Sequence, residues 1–399
     1  ELSQRYTEEV DSNITVELTP LGWESWEKLS TAISSGTPPN LVGRSYDWYT
    51  EYALVSSDCA VEVELEEDLR SDLPEGYEES LLWRGKIYSL PWYVMAQGPL
   101  LNLSVVQEAG AEDLLPEPTC RSWDLDQFVE LMKACTFTRS DGTPVFGTVI
   151  PTAYSTTAFV WPILVLMWNA GSDTMSYDES KGWSHPIREE AGIAWLKLMQ
   201  ELYTVHGVCP DPRGLDGSRV GDYFSARSSA FHLPGPSISA ARGADVTTDP
   251  ETLTITTAEG NDIWFVQNPT APGVPHTTWG GPKMDVNLQP FNTGETGAIP
   301  PTIAFAHWIV NRENQEWLSQ YLIPVRSSAV ELASGDPFLQ YIFNCWVPNA
   351  RVTSMYCETQ DRDIATEMMQ LLYLPTPPEQ VAEEWAARLE GLDCYDSVV

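Results

Sequence analysis

Tyr46-Asp47-Trp48 sets a carboxylate between two aromatic rings. Such a trio suits one kind of recognition. The flat faces lie against the apolar C–H faces of a sugar ring, and the carboxylate accepts two hydroxyls in charge-assisted hydrogen bonds. Further aromatic residues stand in comparable places, beside Gly, Pro or the expected end of a strand. They are Trp23, Trp92 in "SLPWY", Trp161, Trp168 followed by Asn169, and Trp279 followed by Gly280 and Gly281, whose missing side chains let backbone approach a ligand. Pro234-Gly235 adds a backbone wall. Arg326 has two open readings, a donor to sugar hydroxyls or an ion pair that holds its own loop. With 16 Trp and 16 Tyr in the chain, every aromatic also has a reading as core. Trp26, Trp195, Trp317 and Trp385 have helical spacing and read as packing residues.

Signs of covalent chemistry are missing. The sequence holds no G-x-S-x-G, Walker A, G-x-G-x-x-G or H-E-x-x-H pattern. His185, His206, His232, His276 and His307 are scattered without partners at recognisable spacing. Acidic pairs such as Glu66-Glu67 and Glu78-Glu79 carry little information among 57 acidic residues. No Cys-x-x-Cys occurs and no His stands at zinc spacing, so no metal or cofactor is expected. The seven cysteines, 59, 120, 135, 209, 345, 357 and 394, leave at least one thiol over. Nearness in sequence allows Cys120 with Cys135, or Cys345 with Cys357.

Charge narrows the class of partner. Against the 57 acidic residues stand 22 Lys and Arg, a net charge of −35. Phosphate backbones need clustered cations, so a nucleic-acid partner is excluded. No basic amphipathic stretch suits an anionic membrane. The longest apolar run, "AFVWPILVLMW", is interrupted by Pro162 and too short to span a bilayer. The chain begins at Glu1 and reads as a mature or trimmed product.

The elements that must position these residues alternate between the two hydrophobic periods. Residues 1–10 read as a polar helix, "NITVELTP" (13–20) as a strand, and residues 23–36 as a helix. "WRGKIY" is a turn leading into an apolar strand that ends at Asn102. "SWDLDQFVELMKACT" reads as a helix that Ser122 can cap. "TPVFGTVI", "SAFHL" and two segments within 252–269 read as strands. Helices follow at 156–171, 189–207, 302–322 and, started by Pro, 376–392, where Val381, Trp385 and Leu389 share a face. "IPVRSSAV" (323–330) reads as a loop. Strands alternating with helices imply an α/β fold with a parallel or mixed sheet.

The order of these pieces resembles the family 1 extracellular solute-binding proteins of ABC transporters, in their sugar-binding branch. "KLSTAISSGTPPNLV" is similar to that family's "ia.G..PDvv", with Asn40 in place of Asp. "WRGKIYSLPW" is similar to "g.iYglP", "TCRSWDLDQFVELMKAC" to "T.W.df...l.k", and "LMWNAGSDT" to "l..aGG", with Ser172 replacing the second Gly. "DYFSARSSAFHLPGP", "IPVRSSAV" and "TPPEQVAEEW" complete the series. The family opens with a strand before its first helix, and here that first strand is missing.

The resemblance implies a two-lobed, type II periplasmic-binding-protein fold with a hinge and a ligand cleft between the lobes. One lobe would be 1–103 with 262–308, the other 104–261 with 309–399. Trp23, Tyr46, Asp47, Trp48, Trp92, Trp279, Gly280 and Gly281 would serve from the first lobe, and Trp161, Trp168 and Asn169 from the second. Implied too are an extracellular or periplasmic monomer anchored through a lipoprotein signal, a permease partner, and no reaction on the ligand. The first reading is a di- or oligosaccharide binder. The second is the same fold holding a polyol, a glycerophosphodiester or a peptide, where a phosphate would call on Arg44, Lys283 and Arg326. The third is a glycosidase, which needs two carboxyls facing each other across its cleft.

Overall fold

The strand Leu90–Val94 buries Leu90, Pro91 and Val94 and leaves Trp92 and Tyr93 partly exposed. It sits inside a four-stranded antiparallel sheet ordered Leu41–Ser45, Val286–Pro290, Leu90–Val94, Ile323–Pro324. The computed structural model describes residues 1–20, 25–45, 58–74, 77–83, 85–94, 96–153, 161–178, 180–233, 246–280, 286–332, 335–351 and 358–392. They form two compact units, Glu1–Met95 with Gly281–Gln340, and Ala96–Gly280 with Tyr341–Val399.

The chain therefore passes between units after residues 95, 280 and 340, where the sequence suggested 103, 261 and 308. Strand pairing explains the differences. Leu100–Asn102 pairs with Asp262–Phe265 and with Ser229–His232 of the second unit. Ile323–Pro324 pairs with Val94 and Tyr93 of the first. The same pairing turns part of "IPVRSSAV" from the expected loop into a short strand, followed by the helix Ser327–Leu332.

In the first unit, the helix Leu2–Glu9 is mostly polar, and Tyr6 is its one buried residue. Its ring meets Phe305 and Trp308 edge-on, with centroids 4.9 and 5.3 Å away. That contact docks the start of the chain on the helix Ile299–Ile309. Residues 13–20 do not form the expected strand. They are irregular, and Leu18 is 73% exposed. Alternation supplies a face, but a strand also needs a neighbour for its backbone groups, and none pairs with this segment among the described residues.

The second unit is built on a seven-stranded mixed sheet. Its order is Thr247–Thr248, Ile255–Thr256, Asp262–Phe265, Leu100–Asn102, Ser229–His232, Pro144–Thr148, Phe137–Thr138. Ser229–His232 runs parallel to Pro144–Thr148, and the other pairings are antiparallel. Leu125–Ala134 packs on it through Phe128, Leu131 and Met132. The rings of Trp123, Phe128 and Phe231 close the contact. The helix starts at Asp124, not at Ser122. Asp124 and Gln127 form a reciprocal capping box, while the Ser122 hydroxyl donates to Glu117 at 3.0 Å. Glu190–Thr204 and Pro378–Glu390 pack together, and Val381, Trp385 and Leu389 lie on one buried stripe.

A second, three-stranded sheet joins Ala350–Arg351, Thr278–Gly280 and Ala96–Gln97. A disulfide connects Cys120 with Cys345 across 225 residues. It replaces both short-range pairings suggested by the sequence. Cys135 is a buried free thiol, and Cys357 lies outside the described residues. No helix among the described residues is long and apolar enough to cross a membrane.

His232, at the end of Ser229–His232, stacks on Phe224 with ring centroids 5.1 Å apart, and its Nδ1 has no hydrogen-bond partner. Burial disfavours its charged form and brings its pKa from 6.5 down to about 4. The unfolded chain therefore takes up the proton first. Stability contributed by neutral His232 is present above pH 6.5 and is lost as pH falls toward 4, by up to about 3 kcal/mol. Urea unfolding at pH 7 and 4.5 should show this loss in the native chain and a smaller one in His232→Gln.

Candidate functional site

Trp92 is the nominated aromatic residue whose surroundings are clearest in the first unit. Its indole rests on Gly43, where an added Cβ would come within 3.1 Å of the ring. Tyr93 meets it edge-on at 5.3 Å. A buried amide fixes its backbone: Gln315 Nε2 donates to the Trp92 carbonyl at 2.7 Å, and Gln315 Oε1 accepts from Val325 N–H at 2.9 Å. One glutamine thus ties the aromatic strand to the segment that carries Arg326.

Arg326 adopts the second of its two readings. It is 2% exposed. Its Nε donates to the Val310 carbonyl at 2.8 Å and its Nη1 to the Asp68 carbonyl at 3.0 Å. The same Nη1 lies 2.9 Å from the Asp68 carboxylate and 3.3 Å from that of Asp72. Asp72 also accepts from Ser328 N–H and Oγ, at 2.9 and 2.5 Å. Burial would raise the Asp72 pKa, but these hydrogen bonds and the guanidinium hold it below the ordinary carboxylate value. The arginine anchors its own loop.

In the second unit, Trp161–Asn169 is an apolar helix whose last two residues were both nominated. Trp168 is 3% exposed, and the Arg351 guanidinium lies over its ring, 4.5 Å from the centroid. Arg351 also forms an ion pair with Asp173, which is buried and accepts from Thr174 N–H at 2.8 Å. Asn169 is wholly buried. Its amide donates to Val165 O at 2.7 Å and Thr277 O at 2.9 Å, and its Oδ1 accepts from Thr277 N–H at 2.9 Å. It therefore clamps the helix end to the segment entering Thr278–Gly280, and it holds a wall instead of presenting a surface.

The structure thus places Trp168 and Asn169 beside the lead into Trp279, with Trp92 and Arg326 in the other unit. Contacts put Trp279 and Gly280 in the second unit, not in the first lobe as expected, because Trp279 pairs with Gln97 and Arg351 there. Backbone alone places Trp161 and Trp279. Trp23, Tyr46, Asp47, Trp48, Pro234, Gly235 and Gly281 lie outside the described residues, as does Lys283. Asp173 and Arg351 were missed by the sequence reading. Asp173 follows "AGS" directly, and that motif is the signal that could have led to it. Arg351 stands in no motif. Among the described residues, no three His, Cys, Asp or Glu side chains gather to hold a metal ion.

Comparison with known proteins follows the same lines. The family model described as bacterial extracellular solute-binding protein matches residues 1–340. No match was found among curated proteins. Solved structures resemble the chain over nearly its whole length. Maltose-bound T. maritima MalE3 is 16% identical with a TM-score of 0.73, covering 98% of this chain and 94% of that one. UgpB from Mycobacterium tuberculosis, in complex with glycerophosphocholine, is 16% identical with a TM-score of 0.71, covering 98% and 93%. A sugar transporter from Arthrobacter chlorophenolicus A6 with bound laminaribiose is 15% identical with a TM-score of 0.70, covering 98% and 95%. At such identities the likeness establishes the fold, that of the maltose-binding-protein-like type II periplasmic binding proteins.

Proposed function

The chain belongs to the bacterial extracellular solute-binding protein family, and from that premise we propose that it captures a carbohydrate, a di- or oligosaccharide, for an ABC importer. The loaded protein would act as a monomer, deliver its cargo to membrane permease subunits and do no chemistry on it. A lipoprotein anchor would keep it near them. Relatives of the same fold hold maltose and laminaribiose.

The observation that carries the reading is the contrast among the tryptophans. Trp195 and Trp385 are swallowed by helix packing, as their spacing requires. Trp92 instead stays partly exposed beside Tyr93 on a strand whose backbone Gln315 holds, which suits stacking on a sugar face. Trp23, Tyr46, Trp48, Trp161 and Trp279 are proposed as further aromatic contacts, with Asp47 as hydroxyl acceptor and Gly280-Gly281 as backbone wall. Arg351, stacked on Trp168, joins them as a candidate donor. A phosphodiester such as that held by the M. tuberculosis relative is disfavoured. The charge of Arg326, one of three cations nominated for a phosphate, already faces Asp68 and Asp72.

Intrinsic tryptophan fluorescence titrated with maltose, maltotriose, laminaribiose and glycerophosphocholine tests this. A saturable change with at least one sugar is expected, weakened about tenfold or more in Trp92→Ala, a loss of at least 1.4 kcal/mol. A response to glycerophosphocholine alone would move the protein to a different solute. Glycoside turnover abolished by Asp47→Asn would make it an enzyme.

A further inference from the structure

The chain passes between its two units three times, and on the solute-binding reading any motion that binding demands strains these passages. All three lead into one small structure within the second unit. Ala96–Gln97 opens directly after the first passage, and Thr278–Gly280 ends directly before the second. Ala350–Arg351 follows the third passage, which lies inside the helix Pro337–Cys345. These strands form the three-stranded sheet, with Thr278–Gly280 in the middle.

Trp346 fastens that sheet. It is wholly buried, and its ring fills the space beside Gly98, two residues after the first passage begins its strand. A Cβ on Gly98 would lie 2.6–2.9 Å from three ring atoms. The Trp346 carbonyl accepts from Thr278 Oγ1 at 3.0 Å, which reaches the middle strand. Phe265 supports the ring at 5.4 Å. The preceding residue is Cys345, bonded to Cys120. Gln267 Nε2 donates to the Cys345 carbonyl at 2.6 Å, and Tyr341 donates from its hydroxyl to the carbonyls of Cys120 and Phe265 at 3.1 and 3.0 Å.

The segment on the far side of the disulfide is itself rigid. Glu117 accepts from the N–H groups of Thr119, Cys120 and Ser122 at 2.8, 2.9 and 3.3 Å. Burial works against its charged form, yet these bonds bring its pKa down to about 2. Arg121 is 1% exposed. It lies between the Trp264 and Tyr341 rings at 4.3 and 5.0 Å and donates to Phe265, Thr252 and Leu253 carbonyls. Burial lowers its pKa to about 10.

We propose that Trp346, locked by the Cys120–Cys345 disulfide, is a positioning residue for ligand capture: it fixes the base of all three passages and so sets affinity without touching the ligand. The effect on affinity rests on the solute-binding reading above, whereas the effect on the passages does not.

The test uses the full chain. Cys120→Ala/Cys345→Ala releases the lock, and Gly98→Ala displaces Trp346 while leaving the disulfide in place. Peptide-level hydrogen exchange should accelerate about tenfold or more in residues 96–98, 278–280 and 346–351 of both variants, while Glu190–Thr204 keeps its protection. Maltose or laminaribiose affinity, by fluorescence, should fall about tenfold in both. Unchanged exchange in the three strands overturns the proposal. So does acceleration spread evenly through the second unit, the mark of general destabilisation. If neither sugar binds the native chain, the proposed cargo fails, and the exchange pattern still decides the role of Trp346.

Discussion

Arg326→Ala is expected to destabilise the protein by about 2–3 kcal/mol while leaving sugar affinity of the folded fraction unchanged. The cost has two parts. Asp72, half-buried with its carboxylate against Ser328, keeps only the more distant Arg312 guanidinium at 3.9 Å, and the Val310 and Asp68 carbonyls lose a donor. Removing the buried partner costs more than the intact pair contributes, because the half-buried Asp72 keeps part of its desolvation penalty. Denaturant unfolding gives the first quantity and fluorescence titration at low temperature the second. Reduced affinity at unchanged stability would return Arg326 to the ligand.

Gly147→Ala is the second large effect, and it is steric. Gly147 lies on Pro144–Thr148 where the helix Leu125–Ala134 ends against the sheet. An added Cβ would sit 2.2 Å from the Met132 carbonyl oxygen and 2.6 Å from its Cα. Both are backbone atoms, so no rotamer change relieves the clash. The helix end must move, and with it Thr136, whose hydroxyl donates to Met132 O and accepts from Gly147 N–H. A loss of about 3 kcal/mol is expected, at the upper end of what one inserted methyl group costs in a packed core. Thermal unfolding measures it. A change below about 1 kcal/mol would mean that this contact relaxes freely.

What could be read in advance follows the range of the interactions involved. The helix Pro378–Glu390 was legible because Pro378, Val381, Trp385 and Leu389 declare its start and its buried face within four turns. Residues 13–20 carried an equally regular alternation and became irregular chain, because strand formation depends on a neighbour that local sequence does not name. Ser122 was the expected cap. Asp124 takes the place because Gln127 stands three residues on, while Glu117 occupies Ser122. Arg326 illustrates the limit for the site. Its residue type suits a ligand and an ion pair equally, and only Asp68 and Asp72, more than 250 residues earlier, decide between them. Asn169 was nominated as a contact and turned out to be a clamp for the same reason: its partner Thr277 is 108 residues away.

The Cys120–Cys345 bond has a consequence for the order of biogenesis. The ring it closes contains the whole return of the chain to the first unit, residues 281–340. During vectorial emergence from a ribosome or a secretion channel, Cys120 waits as a lone thiol until that entire excursion is complete. Its nearest sequence neighbour, Cys135, appears first and offers a wrong partner, but the native fold buries that thiol away and pushes its pKa up to about 12. If Leu125–Ala134 docks on its sheet before residue 345 emerges, that competitor is withdrawn, as burial also withdraws Cys209.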